Sequence, residues 1–343
     1  MSNYKNRLKQ ALQEEFDKVF DRENSKMKQE FSLKINCPVC NSSNKHLKYE
    51  KDLFTFSECS ECSMIYLNPR LNDKATYDFY NGEWTKIYNE QKFKVDNEDL
   101  NNFDDTRDLE NLSLIKKYKP KGGKLLEIGI GKGHFLRNAL ESKFDVFGVE
   151  LNKENCEKAN NQLSGHGTII NNDLFEASFK NDFFDVVYMK DVFEHVPNPT
   201  EMLEEINRIS SKGAVLFIEV PNIDGAIFKL VKEKHVTIFG FEHLNYWSPK
   251  TLSLAFEKNN FSLAEEIHQS DDFTIPYILN YLYFDSHTSL NVLKRNKLIL
   301  FLLKVVKYLF RIKGISYFNL LTNQVVDKLN MGSQIKVIGI KNK

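Results

Sequence analysis

The stretch Lys124-Leu-Leu-Glu-Ile-Gly-Ile-Gly-Lys-Gly-His-Phe-Leu136 decides the fold. Its apolar run Leu125 to Ile128 is that of a buried strand, and Phe135, Leu136 and Leu140 beyond it fall at helical spacing. Between them, Gly129, Gly131 and Gly133 let the backbone pass close to a ligand that any Cβ would obstruct. Strand, glycine turn and helix together predict a nucleotide-binding crossover. The spacing is Gly-x-Gly-x-Gly, with Glu127 just before it. The dinucleotide fingerprint is instead Gly-x-Gly-x-x-Gly, which sets a pyrophosphate on the helix N-terminus. An acid inside the turn would repel that group. Taken alone, the loop could also be a tight strand-helix turn with no ligand.

The residues that follow remove much of that ambiguity. Phe144 to Glu150 predicts a second strand ending in a carboxylate. Glu150 lies about 20 residues past the turn, the spacing of an acid that binds ribose hydroxyls. Thr168 to Asn171 predicts a short third strand, followed by Asn172 and Asp173. Phe183 to Met189 predicts a fourth and Gly213 to Pro221 a fifth. Helical patterns at Glu154–Leu163 and Thr200–Ile209 alternate with them, which argues for a parallel sheet covered on both faces. Strand-end carboxylates are often merely solvated. A glycine loop, Glu150 and Asp173 in order, each at its own strand end, are harder to obtain by chance.

At these residues the chain resembles the class I S-adenosylmethionine-dependent methyltransferases. Glu127 would suit the cationic amino-acid end of that cofactor. The resemblance implies an α/β fold with a seven-stranded Rossmann-like sheet. It places Glu127, Gly129, Gly131, Gly133, Glu150 and Lys190 at the cofactor, with Asp173 at the adenine amino group. Phe261–His268 and Gln334–Lys341 then supply the sixth and seventh strands.

Four of the five cysteines form two pairs, Cys37-Pro-Val-Cys40 and Cys59-Ser-Glu-Cys62, spaced CxxC-x18-CxxC. Two such knuckles close a tetrahedral four-thiolate zinc site. A thioredoxin-like redox pair would need a βαβ context, which is absent around these residues. A closed four-cysteine site has no open position for catalysis, so its expected role is structural. The segment between the pairs reads as too short to bury a core, so the metal would supply folding energy. Cys156 lies alone on a predicted helix and reads as a packed thiol.

The 343 residues carry no net charge, which gives no global attraction to nucleic acid or membrane. No basic start followed by an apolar segment marks a secretory signal, and no apolar run approaches a membrane span. A cytoplasmic location is the resulting expectation. Along the chain we expect an amphipathic helix in residues 1–34, with Leu8, Leu12, Phe16 and Phe20 on one face. A zinc ribbon is expected at 35–70, a helical linker covering the cofactor at 71–119, and the methyltransferase domain at 120–343 with a helical insertion at 270–333. Within the insertion, Leu293 to Gly314 is apolar and basic, with no acid. A helix packing on the domain or in a homodimer is favoured there over an interfacial helix against anionic lipid.

Ligands of open α/β sheets bind outside the carboxyl ends of the strands. Two segments should converge there: Lys190-Asp-Val-Phe-Glu-His-Val-Pro197 and Phe239-Gly-Phe-Glu-His-Leu-Asn-Tyr-Trp-Ser-Pro249. His243, beside Glu242, is the candidate base. That Glu-His pair resembles one in bacterial sugar methyltransferases with an N-terminal zinc ribbon. Asp191, Glu194, His195 and His243 could alternatively gather Mg²⁺ or Mn²⁺, an arrangement resembling quinone-ring and small-RNA 2′-O-methyltransferases. Asp191 departs from the Glu expected there. Without metal, Glu194 and His195 would shape the acceptor pocket. The expected reaction is methylation of a sugar or nucleotide-sugar in cell-surface polysaccharide biosynthesis, O-methylation slightly ahead of C-methylation. A metal-assisted O-methyltransferase of RNA or a quinone is the runner-up, and a non-catalytic scaffold the third reading. The ribbon lacks a basic cluster, so nucleic acid is not the favoured partner.

Overall fold

The computed structural model describes residues 2–94, 98–270 and 313–342. The chain divides into two compact units. One contains residues 96–220, 249–266 and 336–343, and the other residues 1–95, 221–248 and 267–335.

The first unit is built on a seven-stranded sheet. Its strands in chain order are β1 (Gly123–Ile128), β2 (Phe144–Val149), β3 (Thr168–Ile170), β4 (Phe184–Lys190), β5 (Ser210–Pro221), β6 (Phe261–Gln269) and β7 (Gln334–Lys341). Their spatial order is β3-β2-β1-β4-β5-β7-β6. The pairings β3–β2, β2–β1, β1–β4 and β4–β5 are all parallel. The order reverses between β1 and β4, and such a switch point opens the ligand crevice of a doubly wound sheet. All seven strands were legible in the sequence. β4 and β5 are fully apolar at their centres, as strands covered on both faces must be. The core packs Leu112 and Ile115 of the helix Glu98–Tyr118 with Leu125, Phe135, Leu136, Val186, Tyr188 and Phe217. The rings of Phe135 and Tyr188 stack at 3.7 Å.

The second unit holds the cysteine pairs. Strands Lys45–Lys51, Phe54–Cys59 and Ile65–Leu67 form an antiparallel sheet, and Asn245–Tyr246 adds a fourth strand beside Ile65–Leu67. This segment buries no core of its own but shares one with other parts of the chain. Phe54, Phe56, Ile65 and Leu67 are buried in one cluster with Leu8, Leu12 and Phe16 of the helix Ser2–Val19, with Phe79 and Trp84, and with Phe239, Phe241 and Leu244. Remote parts of the chain supply the apolar area that the short ribbon lacks. Phe241 lies at the centre, its ring 4.9 Å from Phe16, 5.0 Å from Phe54 and 4.5 Å from Phe79. Gly240 is required beside it, because a Cβ there would come within 2.4 Å of the Phe54 ring.

Among the described residues no helix is long and apolar enough to cross a membrane. The basic, apolar segment Leu293–Gly314 lies outside them, apart from Lys313 and Gly314 at the start of the helix Lys313–Lys328. Removing the Phe241 ring vacates the centre of the second unit. Phe241→Ala should lower stability by about 3–5 kcal/mol in denaturant titration; a loss under about 1 kcal/mol would show that the aromatic cluster is not what holds this unit together.

Candidate active site

The three loop glycines all have positive φ: 75° at Gly129, 51° at Gly131 and 81° at Gly133. Their surroundings differ. A Cβ on Gly129 would lie 2.5 Å from Val192 Cγ2, and one on Gly133 would lie 2.7 Å from Ala159 Cβ. Both glycines serve close packing within the domain. A Cβ on Gly131 would meet nothing within 4 Å, so Gly131 borders open space. The Gly131 N–H donates to Glu150 Oε2 at 3.1 Å, and Asn152 N–H donates to the other carboxylate oxygen at 2.8 Å. Glu150 at the end of β2 thereby fixes the loop after β1. Asn171 tightens the same corner by donating to the Glu150 and Leu151 carbonyls at 2.8 and 3.0 Å.

Glu127 is registered between Gly148 of β2 and Tyr188 of β4. Its side chain is buried, and its Oε2 has no hydrogen-bond partner. Burial holds its carboxyl well above the usual carboxylate range. The negative charges of Asp108 and Glu150 add to this, and the Lys190 charge opposes them. Lys190, at the end of β4, bonds Asp108 at 2.7 Å. Burial pulls the Lys190 ammonium down, but Asp108, joined by Glu219 and Asp191, more than offsets it and the net shift is upward. Deeper in the sheet, Glu219 of β5 is fully buried and pairs with Arg107, and Asn111 Nδ2 donates to Glu219 at 2.6 Å and to the Tyr188 hydroxyl at 2.9 Å.

Asp173 follows β3 and is exposed. Its Oδ1 accepts from Glu176 N–H at 2.8 Å, which shapes the turn. After β4, Asp191 has φ 55°, and its N–H donates to the Glu219 carbonyl at 2.9 Å. Glu194 is buried, with Oε1 4.0 Å from His195 Nε2. Glu242 and His243 belong to the second unit, both half-buried within a run of buried residues. Their N–H groups donate to the Phe239 carbonyl at 3.1 and 3.0 Å, and the Tyr246 hydroxyl donates to the His243 carbonyl at 3.1 Å.

The four cysteine sulfurs lie within 4.8 Å of one another, with Cys37–Cys62 and Cys40–Cys59 each at 3.5 Å. The two knuckles repeat one geometry. Asn41 N–H donates to Cys37 O and Ser63 N–H to Cys59 O, with φ 59° at Asn41 and 67° at Ser63. Burial pushes the Cys37 thiol up, and the Cys62 thiol up to about 11. Four soft donors, three of them buried and Cys40 half-buried, match the donor preference of a tetrahedral Zn²⁺.

Some site residues escaped the sequence reading. Asp108, Arg107 and Asn111 sit on the helix Glu98–Tyr118 and supply the partners of Lys190 and Glu219. The available signal was polar residues spaced among Leu112 and Ile115 on one helical face. Leu151 and Phe175, 75% and 47% exposed, stand next to Glu150 and near Asp173 as apolar residues that the core does not use.

Residues 101–266 match the methyltransferase-domain family. An uncharacterised protein of Methanocaldococcus jannaschii is 29% identical over 140 residues, 40% of this chain and 64% of that protein. The chain therefore spans a little under two thirds of that relative's length. An uncharacterised methyltransferase of Anoxybacillus flavithermus is 24% identical over 182 residues, covering 47% of this chain and 83% of that one. Among solved structures, a SAM-dependent methyltransferase from Archaeoglobus fulgidus aligns with TM-score 0.42 and 20% identity over 67% of this chain and 92% of that one. Residues 101–266 thus form a methyltransferase domain, and the strand order and glycine loop are those of the class I S-adenosylmethionine-dependent fold.

Glu127 gives a pH-dependent prediction for the ligand-free protein. A carboxyl with a raised folded pKa keeps its proton where the unfolded chain has released it. Its contribution to stability is complete below the ordinary carboxylate pKa and is lost as pH rises through the folded value. Glu127→Gln should therefore melt higher than the unsubstituted protein at about pH 7.5, with the gap closing towards about pH 4. A gap independent of pH would show that Glu127 does not titrate this way.

Proposed function

We propose that the chain transfers the methyl group of S-adenosylmethionine to a small, oxygen-rich acceptor, a sugar or nucleotide-sugar of cell-surface polysaccharide. O-methylation is favoured over C-methylation. The observation that carries the cofactor half is the buried, unpartnered oxygen of Glu127 next to a glycine loop open at Gly131. S-adenosylmethionine, when bound, supplies a methyl group already activated by its sulfonium. Glu127 is the acceptor for the ammonium of its amino-acid end. Lys190 spends one ammonium donor on Asp108 and keeps others for the carboxylate. Glu150 offers the ribose hydroxyls the lone pairs that Gly131 and Asn152 leave over. Asp173 has Oδ2 for the adenine amino group, and Leu151 and Phe175 supply apolar surface for the ring.

On the acceptor side, His243 takes the hydroxyl proton, with Glu242 beside it, and His195 with Glu194 shapes the pocket. Chain order supports this reading, since these residues follow the carboxyl ends of β4 and β5, and so does the resemblance of the Glu-His segment to sugar methyltransferases. Cys37, Cys40, Cys59 and Cys62 hold a structural Zn²⁺ in this proposal. Thiols paired at a metal fit a cytoplasmic setting. A metal-assisted reaction on RNA or a quinone, with Mg²⁺ or Mn²⁺ at Asp191, Glu194, His195 and His243, is the second reading. The buried Glu194 carboxylate beside the His195 imidazole is the donor chemistry such an ion takes.

Glu150→Ala should weaken S-adenosylmethionine by about 1.5–3 kcal/mol, roughly 10- to 150-fold, in calorimetry. Unchanged affinity would leave the carboxylate a loop brace alone. His243→Ala should abolish turnover of nucleotide-sugar acceptors and leave cofactor affinity intact. Full activity in that variant would remove His243 both as base and as metal ligand.

A further inference from the structure

The Glu242–His243 pair is anchored on both sides, and both anchors belong to the unit that holds the four cysteines. On its N-terminal side, Phe239 and Phe241 are buried in the aromatic cluster, where Gly240 admits the edge of Phe54. On its C-terminal side, the Leu244 carbonyl accepts from Leu67 N–H at 2.9 Å. Asn245 and Tyr246 then pair antiparallel with Tyr66 and Ile65. The strand Ile65–Leu67 leaves directly from the Cys59–Cys62 knuckle, whose turn is closed by Cys59 N–H to Met64 O at 2.8 Å.

A two-residue strand forms too few bonds to hold its own register. Its partner edge must be fixed first. The Phe54–Cys59 strand fixes one side of that edge through the pairs Phe56–Leu67, Ser57–Tyr66 and Glu58–Ile65. The entry to the edge is the knuckle itself, whose backbone turn closes on Cys59 and whose four sulfurs converge with those of the other knuckle.

We propose that the four-cysteine centre is the positioning element for Glu242 and His243. Metal on the cysteines fixes the Ile65–Leu67 edge, the edge sets the register of Leu244–Tyr246, and that register places the backbone of the Glu-His pair. Ile65, Leu67 and Tyr246 are positioning residues on this account. Its catalytic consequence rests on the reading of His243 as the base; the structural coupling does not.

The test compares the full chain with zinc bound and with zinc removed by a strong chelator under reducing conditions. Metal content, amide exchange, the His243 ring resonances and S-adenosylmethionine affinity are read on the same samples. Stripping should accelerate exchange at Leu67 and residues 242–246 by about tenfold or more, and move the His243 resonances. Exchange in β4 and cofactor affinity should stay unchanged, and added Zn²⁺ should restore the rest. Unchanged exchange at 242–246 in metal-free protein would overturn the proposal. If stripping unfolds the whole chain, Tyr246→Phe replaces it. That variant should keep full zinc, shift the His243 resonances and lower kcat more than it raises KM, whereas unaltered resonances would overturn the positioning role. Metal-dependent exchange with a fully active His243→Gln chain would keep the coupling and remove the base. Metal-independent exchange with an inactive His243→Gln chain would do the reverse.

Discussion

A carboxylate buried without a hydrogen-bond partner is costly, and a fold retains one where something else is to satisfy it. Oε2 of Glu127 is in that position. The residue cannot move away, because it is registered between β2 and β4 in the middle of the sheet. It cannot ionise freely, because Asp108 and Glu150 add negative charge to a desolvated site. A cationic ligand resolves both constraints together. The surrounding features are consistent with that role. The order of strands reverses beside Glu127, the following loop opens at Gly131, and Glu150 braces the loop from the next strand. Lys190 is held by Asp108, so it does not simply neutralise Glu127.

The second unit obeys a different constraint. Its sheet is too small to be stable by itself, and its apolar face is completed by the N-terminal helix and by residues 238–246. The segment that carries Glu242 and His243 is thus part of the core that the ribbon needs. A side chain intended for chemistry gains rigidity when its neighbours on both sides are packed. Here Phe241 and Leu244 are both buried and enclose the half-buried pair.

The sheet was legible because its signals are local. β4 and β5 are continuous apolar runs, β7 spans Gln334–Lys341 as its pattern indicated, and the glycine loop names its own turn. Glu127, Glu150 and Asp173 could be placed at strand ends from spacing alone. What stayed hidden depends on pairing between distant residues. The bond of Asp108 to Lys190 and the pair of Arg107 with Glu219 join a helix to strands far along the chain. The helical pattern can set such residues on an apolar face, but it does not say which distant strand residue each one pairs with. The strand Asn245–Tyr246 was illegible for the same reason: two residues carry no periodicity, and only the Ile65–Leu67 edge makes them a strand. The shared core of the ribbon was missed because the cysteine spacing suggested a self-sufficient module.

The central claim is that Glu127, its carboxyl pKa raised by burial, receives the cationic end of the ligand. Calorimetric titration of S-adenosylmethionine at about pH 7.5 in buffers of different ionisation enthalpy tests it most directly, because it counts protons released on binding. The account predicts binding with release of a proton, and loss of that release in Glu127→Gln. Absence of binding, or proton release unaltered by the substitution, would contradict it.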